Sequence, residues 1–449
     1  MFKKILIANR GEVAVRIIRA CRELGIPTVA VYSKADENSL HVSLATEAYC
    51  IGPAESAKSY LNVHSIISAA LISGADAIHP GYGFMSESVD FAEVCKQHGI
   101  TFIGPSSESM LKVGDKSKAR EAMASKNIPI TPGTGIINNL ETAKKFCKKV
   151  GFPVIIKASA GGGGKGMRVV NNMGELEENL ILCKTEAKKF FSDPSVYMEK
   201  YLTNPRHIEV QVLADKFGNV VCLGERDCSI QRRHQKLVEE SPSPAVSEKT
   251  REKLMHAARK AVKAVKYESA GTVEFLLDSD NNFYFMEMNV RLQVEHGVSE
   301  MLSGIDIVRE QILIAAGEPL SVEQKDIKLN GHVIECRINA EDPDNHFLPC
   351  PGKITGYAAP GGFGVRIDSH VYPDYQIPPY YDSLISKLIC WAPTRQQAIR
   401  RTYRALKEYV ITGVKTTLPF YMDLIENPVF LKGDFDTGFL EKYLEEKKK

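Results

Sequence analysis

Along the first hundred residues, short continuous apolar runs alternate with longer stretches whose apolar positions recur every three or four residues. KILIA is a continuous run, and in GEVAVRIIRACREL the residues Val13, Ile17, Cys21 and Leu24 fall at helical spacing. Gly25 stops that helix, and Pro27 precedes the next run, TVAVYS. Another helix, a strand around ADAIHP, a helix through FAEVCKQHG and the strand ITFIG complete the series. Alternation of this kind predicts a parallel sheet with helices on its faces.

The pattern then changes twice. A Lys-rich helical stretch begins near Gly114, and Pro129, Pro132, Gly133 and Gly135 mark a linker. From Gly151 strand patterns dominate, in PVIIKAS, GMRVV, SVYMEKYL, HIEVQVLAD and NVVCLGERD. A helix over about Glu248 to Tyr267 leads to two strands, GTVEFLLDS and NFYFMEMN, joined at DSDNN. After Gly331 short strands mix with Pro and Gly punctuation. The chain thus divides into residues 1–112, 113–330 and 331–449, a fold of mixed α/β and α+β class.

Composition narrows the class. With 449 residues, 44% of them apolar, the chain can bury two or three cores and an active site between them. The net charge of +2 gives no electrostatic case for nucleic acid. No apolar run approaches the ~20 residues of a membrane span, and the apolar strand at Phe2 leaves no room for a signal peptide, so a soluble, cytoplasmic protein is expected. The ten cysteines form no CxxC pair, which argues for reduced thiols rather than zinc. Cys228 sits in a polar segment as a candidate nucleophile, but a small buried hydrophobe is the simpler reading.

The loop in IIKASAGGGGKGMRVV invites three phosphate-binding readings. A P-loop fails because Met167 stands where the lysine belongs. A dinucleotide fingerprint fails because a short strand and a turn follow, where a helix is required. A glycine-rich hairpin whose backbone N–H groups close over phosphates remains, with a plain surface hairpin as its rival. Lys157 on the strand before the loop favours the former.

Glu274, Glu287 and Asn289, on the two strands joined at DSDNN, offer the oxygen donors that Mg2+ takes. Alternation places Glu287 and Asn289 on one side of a strand, and the string ExNxRxQxE predicts that Arg291, Gln293 and Glu295 continue the row. Arg291 suits a planar anion such as bicarbonate. RDCSIQRRHQK adds Arg226, Arg232, Arg233, Lys236 and His234, a set suited to neutralising a phosphoryl group in transfer.

These stretches together resemble the biotin carboxylases, members of the ATP-grasp superfamily. The likeness runs from IANRGEVAVRIIRAC through HPGYGF, SAGGGGKGMR, MEKYL, ERDCSIQRRHQK and EMNVRLQVEH to ECRINAEDP and PPYYDSLISKL. It implies a pre-ATP-grasp N-terminal domain, an ATP-grasp domain with a mobile lid over about 131–202, and a C-terminal domain. It implies carboxylation of biotin, carried on a partner protein, by bicarbonate and ATP through carboxyphosphate.

By that resemblance Lys116, Lys157, the backbone of Gly163 and Gly164, His207, Gln231 and His234 hold ATP, and Glu199, Lys200, Tyr201 and Leu202 meet the adenine. Glu274, Glu287 and Asn289 bind Mg2+ or Mn2+. Lys236, Arg291, Gln293, Val294 and Arg337 hold bicarbonate, and Glu295 is the general base. Arg337 also stabilises the biotin enolate, with Tyr82 near the ureido ring. Arg16, Arg19 and Glu23, on the polar side of the first helix, with Phe363 and Arg366, match a homodimer contact.

Two positions depart from the family's usual pattern: Val290 for Thr and Gly297 for Pro. Val290 keeps the β-branched shape and by alternation faces away from the ligand row, whereas Gly297 is expected to loosen the backbone after the base. The chain ends at Lys449 without a biotin-accepting AMKM motif and reads as a complete subunit, so the expected partners are a biotin carboxyl carrier protein and carboxyltransferase subunits. Acetyl-CoA carboxylase is the expected home, supplying malonyl-CoA for fatty acid synthesis; a pyruvate or other acyl-CoA carboxylase is the alternative. Another ATP-grasp ligase forming an acyl phosphate, or a nucleotide sensor without catalysis, are rival readings; ERDCSIQRRHQK and ECRINAEDP argue against the first, Glu295, Lys236 and Arg337 against the second.

Overall fold

Ile5, Leu6 and Ile7 are fully buried at the centre of a five-stranded parallel sheet ordered Glu47–Gly52, Thr28–Ser33, Ile5–Ile7, Ala77–His79, Thr101–Phe102. Ile5 and Ile7 pack with Val13, Ile17 and Ile18 of helix Gly11–Glu23, and Leu6 packs with Ile66, Ile67 and Phe91 on the other face. Both faces are covered, as a parallel sheet requires. The structure is a computed structural model and describes residues 1–160 and 166–447. Gly163 and Gly164 of the glycine loop lie outside the described residues.

Arg16 corrects the reading of the first helix. Arg19 and Glu23 are exposed, but Arg16 is buried and donates to Glu300 at 2.9 Å and Asp306 at 2.6 Å. Its partners lie far along the chain, so helical position alone suggested solvent.

A three-stranded antiparallel sheet, Met167–Val170, Val154–Ala158 and Val196–Lys200, packs under helices Leu140–Val150 and Leu176–Phe191. The strand-dominated reading overlooked the second helix. Leu176, Leu180, Cys183 and Ala187 recur at helical spacing and are all buried, and the Asn172 side chain accepts from Gly174 and Glu175 N–H groups in the turn leading into it.

One eight-stranded antiparallel sheet runs across residue 330. Its order is Phe283–Asn289, Ser269–Leu277, Arg206–Ala214, Val220–Arg232, Gln235–Ser241, His332–Asn339, Leu384–Ala392, Val365–Ser369. Helix Glu248–Val265 packs against Ile208, Val210 and Val212 on one face. Helix His296–Ser303 lies against the other, close to the strands that begin at Val220, Gln235, His332 and Leu384. Among the described residues no helix is long and apolar enough to cross a membrane.

The expected strand alternation through Glu295 stops at Asn289, where the ladder ends opposite Thr272. The chain turns, and Glu295 takes the N-cap position of helix His296–Ser303. Val290 is buried among apolar neighbours. Gly297 lies inside this helix and is buried, so it is a packing point rather than a slack one. A Cβ there would lie 2.4 Å from Ile389 Cδ1, and glycine lets the helix settle onto strand Leu384–Ala392. Gly297→Ala sets displacement of the Ile389 terminal methyl against the helix propensity gained over glycine, and a net loss of about 1 kcal/mol or less is expected. Denaturant unfolding checks it: pairing Gly297→Ala with Ile389→Val, which removes the opposing methyl, should recover part of the loss.

Candidate active site

Strand Arg206–Ala214 alternates His207, Glu209 and Gln211 with Ile208, Val210 and Val212. The apolar set meets helix Glu248–Val265, and the polar set lies on the opposite side of the sheet, as a period of two requires. Register then aligns charges across strands: Glu287 opposes Glu274, Glu274 opposes Glu209, and Glu209 opposes Arg226. Two rows further on, Glu239 opposes Glu335, and Arg337 opposes Lys387. Helix His296–Ser303 covers this face, and Ser299 accepts from Arg226 at 2.8 Å.

Lys236 gathers the site. Its Nζ donates to Glu209 at 2.7 Å, Glu295 at 2.8 Å and Glu274 at 3.1 Å. Arg226 holds the other oxygen of Glu209 at 2.6 Å, and Arg337 holds the other oxygen of Glu295 at 3.0 Å while donating to Glu239 at 2.7 Å. His207 Nε2 lies 2.8 Å from Glu274.

Burial alone would raise the Glu295 carboxyl, but Lys236, Arg337 and Arg226 outweigh it and hold Glu295 well below the ordinary carboxylate range. Glu274 is depressed in the same way by Lys236 and His207 acting against its burial. Burial disfavours the charged Lys236, yet Glu209, Glu274 and Glu295 keep its ammonium firmly protonated. Cys228 is buried, which pushes its thiol well up and fits the reading as a small buried hydrophobe.

Two carboxylates and an amide oxygen are the donor types a hard divalent cation takes, and the ladder brings Glu274 and Glu287 to the same rung. Asn289 Nδ2 donates to Glu274 at 2.7 Å, Glu287 sits directly across the ladder, and Lys116 donates to Glu287 at 2.8 Å.

The remaining sequence-predicted residues are distributed unevenly. Lys157 donates to Glu199 at 2.9 Å, and Glu199 is buried with Arg120 2.7 Å away, so its carboxylate is already committed. Lys200 donates to the Phe152 carbonyl at 2.9 Å and Tyr201 N–H to Pro153 at 3.1 Å, tying this segment to the strand before the glycine loop; Leu202 follows, half-buried. Arg291 donates to Gln293 Oε1 at 3.0 Å and lies 3.4 Å from Glu87. Gln293 is buried with its amide nitrogen unpartnered among the described residues. Tyr82 donates to Glu12.

RDCSIQRRHQK does not act as one basic surface. Arg226 is fully buried behind Glu209, Arg232 donates to the His346 carbonyl and lies over Phe347, and Arg233 and His234 stand exposed at the hairpin turn. Gln231 lies opposite Lys236 in the ladder, and Lys236 is the basic residue of the segment that gathers the carboxylates. Sequence reasoning missed Glu209, Glu239, Glu12 and Lys387. The usable signal was a glutamate at an alternate position of an otherwise apolar strand, as in HIEVQVL.

The geometry has counterparts among known proteins. Residues 1–110 match the model of the biotin carboxylase N-terminal domain, residues 115–323 the ATP-binding domain of the carbamoyl-phosphate synthase L chain, and residues 335–442 the biotin carboxylase C-terminal domain. The chain is 56% identical over 445 residues to biotin carboxylase 1 of Bacillus subtilis, covering 99% of both chains. The chain belongs to the biotin carboxylase family. A crystal structure of a Campylobacter jejuni biotin carboxylase complexed with beta-gamma-ATP superposes with a TM-score of 0.96 at 54% identity, over 98% of this chain and 99% of that one. The biotin carboxylase domain dimer of Hydrogenobacter thermophilus 2-oxoglutarate carboxylase, solved with MgADP, ADP and bicarbonate, gives 0.94 at 51% identity, over 99% and 98%.

The fold of this biotin carboxylase family member depends on Lys236 as a counter-charge. Glu274 and Glu295, with depressed pKa values, contribute stability above the ordinary carboxylate range that is lost as pH falls. Lys236→Met removes the attraction that outweighs burial, so those carboxyls rise and the folded state binds protons more readily. The variant should lose about 3–5 kcal/mol near neutral pH. Unfolding measured at several pH values should show the gap to the parent narrowing toward acid.

Proposed function

We propose that this protein carboxylates biotin with ATP and bicarbonate through carboxyphosphate, the biotin being borne on a lysine of a biotin carboxyl carrier protein. The observation that carries this is Glu295: a buried carboxylate, kept ionised between Lys236 and Arg337, beside the Glu274 and Glu287 pair.

Glu295 takes the proton of bicarbonate, which Lys236, Arg291, Gln293, Arg337 and the backbone of Val294 orient. The freed oxygen attacks the γ-phosphorus of ATP, a P–O bond forms, and the bond to ADP breaks. Lys116, Lys157, His207, Gln231, His234 and the glycine loop hold the nucleotide, with adenine against Glu199 to Leu202. Glu274, Glu287 and Asn289 would hold Mg2+, which supplies charge neutralisation at the phosphates. Carboxyphosphate yields carbon dioxide and phosphate. Arg337 stabilises the biotin enolate as the released phosphate takes the N1 proton and N1 bonds the carbon dioxide, with Tyr82 beside the ureido ring.

The acceptor we favour is acetyl-CoA, reached through separate carboxyltransferase subunits in the cytoplasm. A 2-oxo acid acceptor is the second reading, since the Hydrogenobacter relative serves a 2-oxoglutarate carboxylase. Residues 1–112, 113–330 and 331–449 act as N-terminal, ATP-grasp and C-terminal domains. Exposed Arg19, Glu23 and Phe363, the last 78% accessible, suit a homodimer contact.

ATP hydrolysis should require bicarbonate and rise with free biotin; absence of biotin stimulation would overturn the assignment. Glu295→Gln should lower turnover roughly 10²- to 10⁴-fold. The lid, about 131–202, should gain hydrogen-exchange protection when ATP is added; identical protection with and without ATP would count against a closing lid.

A further inference from the structure

Lys387 is fully buried in strand Leu384–Ala392, and the reaction scheme above gives it no part. Its Nζ donates to the Val294 carbonyl at 2.8 Å and lies 3.2 Å from Glu12 Oε1 and 3.6 Å from Asp368 Oδ2. Asp368 is taken up by Arg366 at 2.8 and 2.9 Å. Packing alone does not call for an ammonium here, because a buried charge is costly unless paired and methionine would fill the same space.

The bond to Val294 has a specific consequence. Between Asn289 and His296 the chain has left the sheet, so the ladder no longer orients its peptides. The Val294 carbonyl belongs to the peptide that ends at Glu295. Arg337 and Lys387 are direct partners on adjacent strands: Arg337 grips the Glu295 side chain while Lys387 grips the backbone just before it. Glu12, the ammonium's carboxylate neighbour, also accepts from Tyr82. One ammonium therefore ties the turn bearing Glu295 to the residue proposed to lie beside biotin.

We propose that Lys387 is a positioning residue for Glu295, fixing the Val294–Glu295 peptide so that the carboxylate stays between Lys236 and Arg337. This rests on the assignment of Glu295 as the base. Displacing a reacting group by about 1 Å can cost roughly 10²-fold in rate.

The test compares Lys387→Met, the double variant Glu12→Gln with Lys387→Met, and Glu295→Gln. Lys387→Met leaves Glu12 without its counter-charge and should lower the thermal midpoint as well as turnover. The double variant removes that stranded charge but still gives the Val294 carbonyl no ammonium. Its midpoint should return toward the parent's, while bicarbonate-dependent ATP hydrolysis stays roughly tenfold or more below it and the KM for ATP stays within about twofold. A double variant that regains parent turnover would make the lysine merely structural and overturn the proposal, as would a KM for ATP rising in step with the loss. If Glu295→Gln loses turnover while both lysine variants keep it, only the positioning role falls. If Glu295→Gln keeps turnover, the base assignment falls and the positioning role with it.

Discussion

The contact on which the site rests is one ammonium among three carboxylates. Lys236 bonds Glu209, Glu274 and Glu295, all of which are almost wholly withdrawn from water. Each buried carboxylate carries a desolvation penalty of several kcal/mol, which Arg226 and Arg337 offset with further positive charge, while burial and the nearby Glu295 and Glu274 raise the Glu209 carboxyl. These charges come from different strands and one turn. A one-residue slip of any strand would carry its charged residue to the apolar face, and the ion network therefore fixes the register of the central sheet as firmly as the hydrophobic pattern does.

That network requires the chain to leave the sheet after Asn289. Six further residues of extended strand would carry Glu295 about 20 Å onward, away from Lys236. The turn into helix His296–Ser303 instead folds Glu295 back over the row, and the close seat of Gly297 on Ile389 brings the helix down to it. The apparent row ExNxRxQxE is thus two structures: a strand carrying Glu287 and Asn289, and a turn carrying Arg291, Gln293 and Glu295.

What the sequence revealed follows the range of the interactions. The parallel N-terminal sheet and the paired strands carrying Glu274 and Glu287 were legible, because period and turn residues are local signals. Helix Leu176–Phe191 carried an equally local signal and was overlooked beside stronger strand runs. Arg16 was not legible, since only the fold brings Glu300 and Asp306 to it. Glu209 alternates with apolar residues in HIEVQVL, a pattern that does not tell a solvated face from one covered by a distant helix, and Glu239 lies beside Glu240 with no such alternation. Resemblance to a family named candidate residues, but not which basic groups of RDCSIQRRHQK turn inward.

The basic groups assigned to ATP are not idle in the structure. Lys116 is bonded to Glu287 and Lys157 to Glu199. In the proposed reaction, entry of a polyphosphate is therefore accompanied by an exchange of partners for these lysines. Lys116 turns from a carboxylate to phosphate oxygens, leaving Glu287 as an oxygen donor for a divalent cation. Because Glu287 already opposes the burial that disfavours a charged Lys116 and keeps that ammonium protonated, no proton has to be taken up there when the phosphates arrive. Glu295 stands outside that exchange: its grip comes from Arg337 as well as Lys236, so it remains ionised and available as a base.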